Sequence, residues 1–492
     1  MRIEGCSKAF YGSGRKKLPA FLLSFLFAAS FILAPAHGDS ITDEFGVGFL
    51  PPRPPLRSES GGYLKQDNLT WNWWGIRDKM EDRGIVFNGS YTSEVQANVQ
   101  GGIKTGSIYD GQLVLGLELQ TEKLTGGSWP GGVFRVNADY VHGGSITGND
   151  VGDLLGASNI GPTSDEWSVD FYYEQSLFEK KLVLTLGYMG PGNNFAGNDV
   201  SWIFSNSAFG WPEIIGGRAQ QGPYSNSVPG FVIHYAPIDE FYFQAGAYAG
   251  TQEAVPVNAP PSNGIDIAIN EDQGALGLME VGYKLNQGQG DKGLPGTYRL
   301  GGWYRTRDTD TSRTGPSVSQ FIGLSNAFGP PTGTFADYTA LVNRNLNHDD
   351  HVGLYFSADQ MVYRQPKSDD RGLTLFWRVG DNESGTTQFD FYTDGGLSYK
   401  GLIPGRQDDV LAVGAAYAGI SDNTTDYQQG LKQIFPRFNP IQDYEAVVEG
   451  TYSLSLTPFW SLQPDIQWIL HPGGSDQNNN ALVVGFRNTL YF

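Results

Sequence analysis

Residues Ala481 to Phe492 read ALVVGFRNTLYF. Taken in twos, Leu482, Val484, Phe486, Asn488, Leu490 and Phe492 fall on one face, and Val483, Gly485, Arg487, Thr489 and Tyr491 on the other. One face is mostly apolar and the other mixed, the period of a strand that meets a different medium on each side. The last strand of a soluble β-sandwich has this pattern too, with Phe486, Leu490 and Phe492 buried under a second layer. A closing strand of a transmembrane β-barrel turns the same face to lipid. It pairs its free edge with the first strand, so that no backbone group stays unbonded in the bilayer. The rest of the chain decides between the two.

The chain has 492 residues and opens with the pattern of a secretory signal. Arg15, Lys16 and Lys17 precede an apolar run from Leu18 to Leu33, and Ala34-Pro35-Ala36 fits a small-x-small cleavage site. Residues 1–36 are therefore expected to be a signal peptide removed on export. The formal net charge is −19. Removing the prefix, with Arg2, Lys8, Arg15, Lys16 and Lys17 against Glu4 alone, makes the remainder more acidic. That sign excludes nucleic acid as a partner. Cys6 is the sole cysteine and leaves with the prefix, so the exported chain is expected to hold no disulfide. No later apolar run is long enough to cross a membrane as a helix. Yet the chain carries 66 glycines and 13% aromatic residues, and its mean hydropathy is negative. Alternating strands give that average, because a polar neighbour offsets each lipid-facing residue.

Residues 37–69 are polar and broken by Pro51-Pro52-Arg53-Pro54-Pro55, an extended polyproline tether in the periplasm. Over 70–84, Trp73, Ile76 and Met80 fall at helical spacing, Asn72 is suited to cap the start and Gly84 to end it. The spacing predicts a short amphipathic helix resting on or in the mouth of the domain after it. From Ile85 to Phe492 the period is two. Ile85, Phe87, Gly89, Tyr91, Val95, Ala97 and Val99 alternate with Asn88, Ser90, Thr92, Glu94, Gln96, Asn98 and Gln100. Later segments repeat the alternation at a length that suits a tilted membrane crossing. Short connections such as 178–181, 236–240 and 457–460 alternate with long ones such as 145–165, 190–228, 251–273, 307–350 and 421–441. The expectation is an all-β fold, a transmembrane antiparallel β-barrel of about sixteen strands, with the helix at its periplasmic end.

Gly288-Gln289-Gly290-Asp291-Lys292-Gly293 matches a dinucleotide-binding fingerprint, but Leu294-Pro295-Gly296 leads into a strand and supplies no helix N-terminus, so it reads as a turn. His348-Asp349-Asp350-His351 offers metal-ligand types but reads as a solvated loop entering a strand, and no metal site is assigned. Carboxylates on the polar faces include Glu94, Glu118, Asp139, Asp170 and Glu174, and Arg135, Arg299, Arg305, Arg378 and Arg487 share those faces. Trp303 lies among them. Facing across water, such groups suit hydroxyl-rich solutes, since charges give bidentate hydrogen bonds and a ring offers its face to sugar C–H groups. The same groups would also simply keep a lumen wet and rigid.

The stretch WWGIRDKMEDRGI (Trp73 to Ile85) resembles the opening of the carbohydrate-selective outer-membrane porins of Gram-negative bacteria, the OprB type. PGTYRLGGWYRT (Pro295 to Thr306), GLYFSADQMVYR (Gly353 to Arg364), GLSYKGLIPGRQDDVLAVGAAY (Gly396 to Tyr417) and SLQPDIQWILHPGG (Ser461 to Gly474) resemble the same family. The resemblance implies a sixteen-stranded barrel that passes sugars such as glucose by facilitated diffusion, with no cofactor and no energy source. It also implies that the barrel-assembly machinery recognises Phe492. An inward fold is sought in the loop 190–228, with Trp202, Phe204, Trp211 and Arg218.

Three functions are compatible with the sequence. The first is a sugar porin bathed in outer-membrane lipid, with Glu94, Glu118, Arg135, Asp139, Asp170, Glu174, Trp202, Arg218, Arg299, Trp303, Arg305 and Arg378 as channel-lining candidates. The second is a barrel enzyme such as a glycosidase, which needs one carboxyl in an apolar setting. The third is a secreted β-protein that binds glycans. Whether barrels sit singly or as homotrimers is open.

Overall fold

The alternation that begins at Ile85 becomes sixteen antiparallel strands, each paired with its neighbours in sequence, and β16 closes on β1. The computed structural model describes residues 68–160, 165–216, 227–249, 275–288, 291–306, 317–346, 350–368, 370–382 and 388–492. The predicted leader, nearly all of the tether, Arg218, His348 and Asp349 lie outside them.

In chain order the strands are β1 (Ile85–Gly102), β2 (Gly106–Gln120), β3 (Gly132–Gly143), β4 (Glu166–Leu177), β5 (Leu182–Met189) and β6 (Val228–Ile238). Then come β7 (Phe241–Ala249), β8 (Ala275–Leu285), β9 (Gly296–Thr306), β10 (Asp350–Arg364) and β11 (Gly372–Asn382). The ring ends with β12 (Phe389–Lys400), β13 (Val410–Ile420), β14 (Tyr444–Thr457), β15 (Trp460–Leu470) and β16 (Asn479–Tyr491). An even number of strands returns the chain to the end at which it entered. That end carries the tight connections, such as 239–240 and 458–459. We call it the turn end and the other the loop end.

The two faces of the wall separate as the alternation requires. On β1, Val95 and Val99 stand about half exposed while Glu94, Gln96 and Asn98 are buried. On β16, Val484 and Phe486 are exposed and Val483 is buried. The wall closes on itself, with exposed apolar residues outside and buried polar residues inside, the arrangement that a bilayer permits.

Before β1 the chain makes a 3-10 turn, Trp73–Gly75, and a short helix α1, Ile76–Asp82. Gly84 comes next but one with φ +84°, the left-handed conformation that glycine tolerates. Asn72 does not occupy the cap position of α1, which falls to Gly75. Its side chain reaches ahead instead, and Oδ1 accepts from the Asp78 amide at 3.1 Å.

Two connections read as plain loops contain helices. The β9–β10 connection holds α4 (Val318–Phe328) and α5 (Phe335–Leu346), and the β13–β14 connection holds α6 (Asp422–Ile434). Shorter helices are α2 (Thr121–Leu124) and α3 (Glu213–Gly216). Ser317 and Gln320 form a capping box at the start of α4, and Ser421 caps α6. Tyr338, Val342, Leu431, Ile434 and Phe435 bury one another in a small core at the loop end. Each helix has too few apolar residues to be stable alone, so its period becomes decisive only when a distant connection covers it.

Candidate permeation site

Two loop-end connections fold into the barrel. Loop A, between β3 and β4, includes a π-helical turn at Thr147–Val151. Loop B, between β5 and β6, runs through 3-10 turns at Pro191–Asn193, Ser201–Ile203 and Ser207–Phe209 before α3. A loop inside a wall loses the water that would satisfy its backbone amides, so the wall must supply acceptors.

Three glutamates do so. Glu445, fully buried on β14, accepts the amides of Leu154 and Leu155 at 2.8 and 2.7 Å and that of Gly473 at 2.7 Å. Glu449, four residues further on the same face and also fully buried, accepts the amides of Ser205 and Asn206 at 2.8 and 3.0 Å. Glu280 on β8 accepts the Ala196 amide at 3.0 Å and the hydroxyls of Tyr242 and Tyr355 at 2.8 and 2.7 Å. A carboxylate offers about four lone-pair directions and so holds several donors at once.

Loop carbonyls are met by wall donors. Ala157 O accepts from Gln96 Nε2 at 3.1 Å and from Gln467 Nε2 at 2.8 Å, and Gly210 O accepts from Arg378 Nη1 at 2.5 Å. The loops also bind each other, the Asn159 amide donating to Ser205 O at 2.7 Å and the Ser207 amide to Gly156 O at 2.8 Å. Phe195, Phe204, Phe209 and Ile214 of loop B are buried with Phe376 and Tyr392 of the wall. The Phe204 and Phe209 rings stack at 4.2 Å. Asp199 and Trp202 are the residues that loop B leaves exposed among 190–215.

The sequence candidates divide by surroundings. Arg135 lies between two carboxylates on adjacent strands, donating from Nη1 to Glu118 at 2.6 Å and from Nε to Glu174 at 2.7 Å. Arg299 likewise bridges Asp359 at 2.8 Å and Asp199 of loop B at 3.1 Å. Glu94 pairs with Arg487 across the closing seam, where the two are in register, and accepts from Ser158 of loop A at 2.7 Å. Arg135 and Glu94 are themselves buried, and further candidates hold loop B. Arg378 pairs with Asp394 and reaches the carbonyls of Gly210 and Ala208. Arg305 donates to Ile215 O at 3.4 Å, and Asp170 accepts from Asn193 at 3.3 Å. Trp303 is buried, its ring stacked at 6.3 Å on that of Tyr355. Asp139 is buried beside Gln112 at 3.4 Å.

Glu280, Glu445 and Glu449 were not among the sequence candidates. Their one signal is position: Glu445 and Glu449 stand four apart on the inward face of a strand whose outward face carries Ala446 and Val448. No group of three or more histidine, cysteine, aspartate or glutamate side chains suited to a metal ion occurs among the described residues. The Gly288 to Gly293 motif lies in the β8–β9 turn, where Asp291 accepts the Gly288 amide at 2.9 Å, with no helix between the strands among the described residues.

The family model for carbohydrate-selective porins of the OprB family matches residues 104–492. Porin B of Pseudomonas aeruginosa is 28% identical over 449 residues, which span 86% of this chain and 92% of that protein. The putative porin QuiX of Acinetobacter baylyi is 22% identical over 445 residues, 86% of this chain and 93% of that one. The structure of Pseudomonas putida OprB at high pH superposes with a TM-score of 0.72 at 25% identity, covering 87% of this chain and 99% of its own. With a closed barrel of sixteen strands and a family match over most of its length, this chain belongs to the OprB family of carbohydrate-selective porins.

Proposed function

We propose that the protein lets monosaccharides such as glucose, and small oligosaccharides, diffuse down their gradient from the loop end to the periplasm. Porins of this family are placed in the outer membrane of Gram-negative bacteria, and the apolar exterior of the wall suits that setting. The observation that carries the reading is the arginine held between two carboxylates inside a narrowed barrel, at Arg135 and again at Arg299. Each places fixed donors and acceptors side by side, the pattern that a sugar with neighbouring hydroxyls matches. Trp202, exposed on loop B, adds a ring face. Contacts of this kind favour entry and still allow release, as conduction requires. Passage needs no bond to break, no cofactor and no energy source.

On this reading the leader (1–36) is removed on export, residues 37–69 tether the barrel on the periplasmic side, and the assembly machinery engages the strand that ends in Phe492. Barrels function singly or as trimers. Liposome swelling tests the central claim: glucose should enter vesicles carrying the protein faster than protein-free vesicles, and equal rates would remove the proposal.

A further inference from the structure

Strand β16 stops short of the start of β1. Tyr491 lies opposite Ser90, and the Phe492 amide donates to Gly89 O at 2.9 Å. Ile85 to Asn88 therefore have a strand partner only on the β2 side. Carbonyls two residues apart point to the same edge of a strand, so the next acceptor on this open edge is Phe87 O. It receives Arg77 Nη2 at 2.6 Å. The Leu69 amide donates to Tyr491 O at 2.7 Å. Residues 68–83 thus occupy the place that a longer β16 would fill.

They do so from the outer flank. Phe87 shares the outward face of β1 with Val95 and Val99, and the Trp73 ring packs on it at 5.5 Å. Arg77 Cζ stands 5.3 Å from the Trp73 ring centroid, which sheathes the buried guanidinium in aromatic surface. Three of the segment's apolar side chains are exposed: Trp74 is 98% exposed, Trp71 58% and Ile76 52%. Asp78, Lys79, Asp82 and Arg83 are exposed as well, so polar and apolar groups are both at the surface. The same end of the barrel carries exposed Trp129, Phe178 and Trp460. Aromatic residues at that level form the girdle with which a barrel meets the head-group region, where the indole satisfies its N–H in water and its ring in lipid.

We propose that residues 68–83 are an interfacial anchor, in which Trp71, Trp74 and Ile76 enter the head-group region of the bilayer at the turn end while Arg77 seals the uncovered edge of β1. The partner is the phospholipid of the leaflet that surrounds the barrel. Continuity identifies it: the segment joins the lipid-facing wall through Trp73 and Phe87 and extends the aromatic girdle around the seam. The anchor is independent of which solute passes.

The test uses the full chain in a Cys6→Ser background, reconstituted into phosphatidylcholine vesicles. A polarity-sensitive fluorophore is placed by Trp74→Cys or, as a polar control on α1, by Asp78→Cys. Trp71→Cys serves as a second apolar site should the first fail to assemble, with closed barrels selected by their resistance to unfolding in cold detergent. Phospholipid brominated high on its acyl chains should quench the label at 74 or 71 at least about threefold more than at 78. Equal quenching at the apolar and control sites would place the segment in water and overturn the anchor, whatever the sugar flux.

Discussion

Glu449 on the barrel wall holds Ser205 of loop B by two hydrogen bonds at once, from the amide at 2.8 Å and from the hydroxyl at 2.9 Å. The Asn206 amide supplies a third at 3.0 Å. Glu449→Ala removes the acceptor and leaves these buried donors unsatisfied, at about 1–3 kcal/mol for each group. The strand itself survives, because its pairing with Gly414 and Gln467 is a backbone matter. Loop B should then leave the wall and widen the passage. The expected result is a larger single-channel conductance for Glu449→Ala, with Glu449→Gln between it and the parent, since the amide keeps one acceptor oxygen. Three indistinguishable conductances would show that this carboxylate does not set the bore.

Arg135 predicts a separable effect on charge and on sugar. Without its guanidinium, Glu118 and Glu174 face each other unneutralised, so Arg135→Ala should shift the channel toward cations. Hydrogen bonds to a charged group contribute about 1.5–3 kcal/mol, so sugar block of the current should weaken by roughly tenfold or more. Arg135→Lys keeps the charge and loses the planar fork. It should preserve ion selectivity and still weaken the block. Reversal potentials in a salt gradient, measured beside sugar titrations, distinguish the two, and a lysine variant with parental block would remove the fork from the account.

The wall was legible in the sequence because lipid and lumen act on alternate residues, which is why Glu94 and Arg487 could both be assigned inward although they lie at opposite ends of the barrel sequence. What fills the wall was less legible. Glu445 and Glu449 look like any other carboxylates on a polar face, and their partners are backbone amides that carry no residue identity. Arg378 and Trp303 read as facing solute for the same reason, although Arg378 is held by loop B and Trp303 is buried against Tyr355. The loop-end helices did leave a mark, the Ser317 and Gln320 capping box, but the apolar residues that make it matter come from α6, about a hundred residues away in the chain.

Asp153 gives loop A a dependence on pH. It is buried one residue before the amides that Glu445 holds, and burial pushes its carboxyl up from 3.8 to about 6. An acid whose pKa is raised in the docked loop binds its proton more tightly there than in the released loop. The docked form therefore has its full stability below about pH 4 and loses part of it as pH rises through about 6. Amide exchange at Leu154 and Leu155, corrected for intrinsic chemistry, should show more opening at about pH 7.5 than at about pH 4.5. Asp153→Asn should flatten that difference, and a variant that keeps the parental profile would assign it to another group.

Asn488 breaks the outward apolar series of the last strand for a reason visible at its neighbours. Its Oδ1 accepts the Trp460 indole N–H from β15 at 2.7 Å, and its Nδ2 donates to Ser93 Oγ on β1 at 3.4 Å, so one side chain ties the closing strand to both flanks. Asn488→Leu makes the face more apolar and yet should weaken the barrel, because the half-exposed indole N–H loses its acceptor on β16 and the seam loses its tie to both flanks, at about 0.5–1.5 kcal/mol. Removing both partners is far less costly than removing one. The pair Asn488→Leu with Trp460→Phe should therefore regain most of the loss. The temperature at which the folded band disappears in detergent gels measures both effects. If Asn488→Leu alone is as heat-resistant as the parent, the hydrogen bond does not stabilise the seam and the asparagine has to be explained by assembly instead.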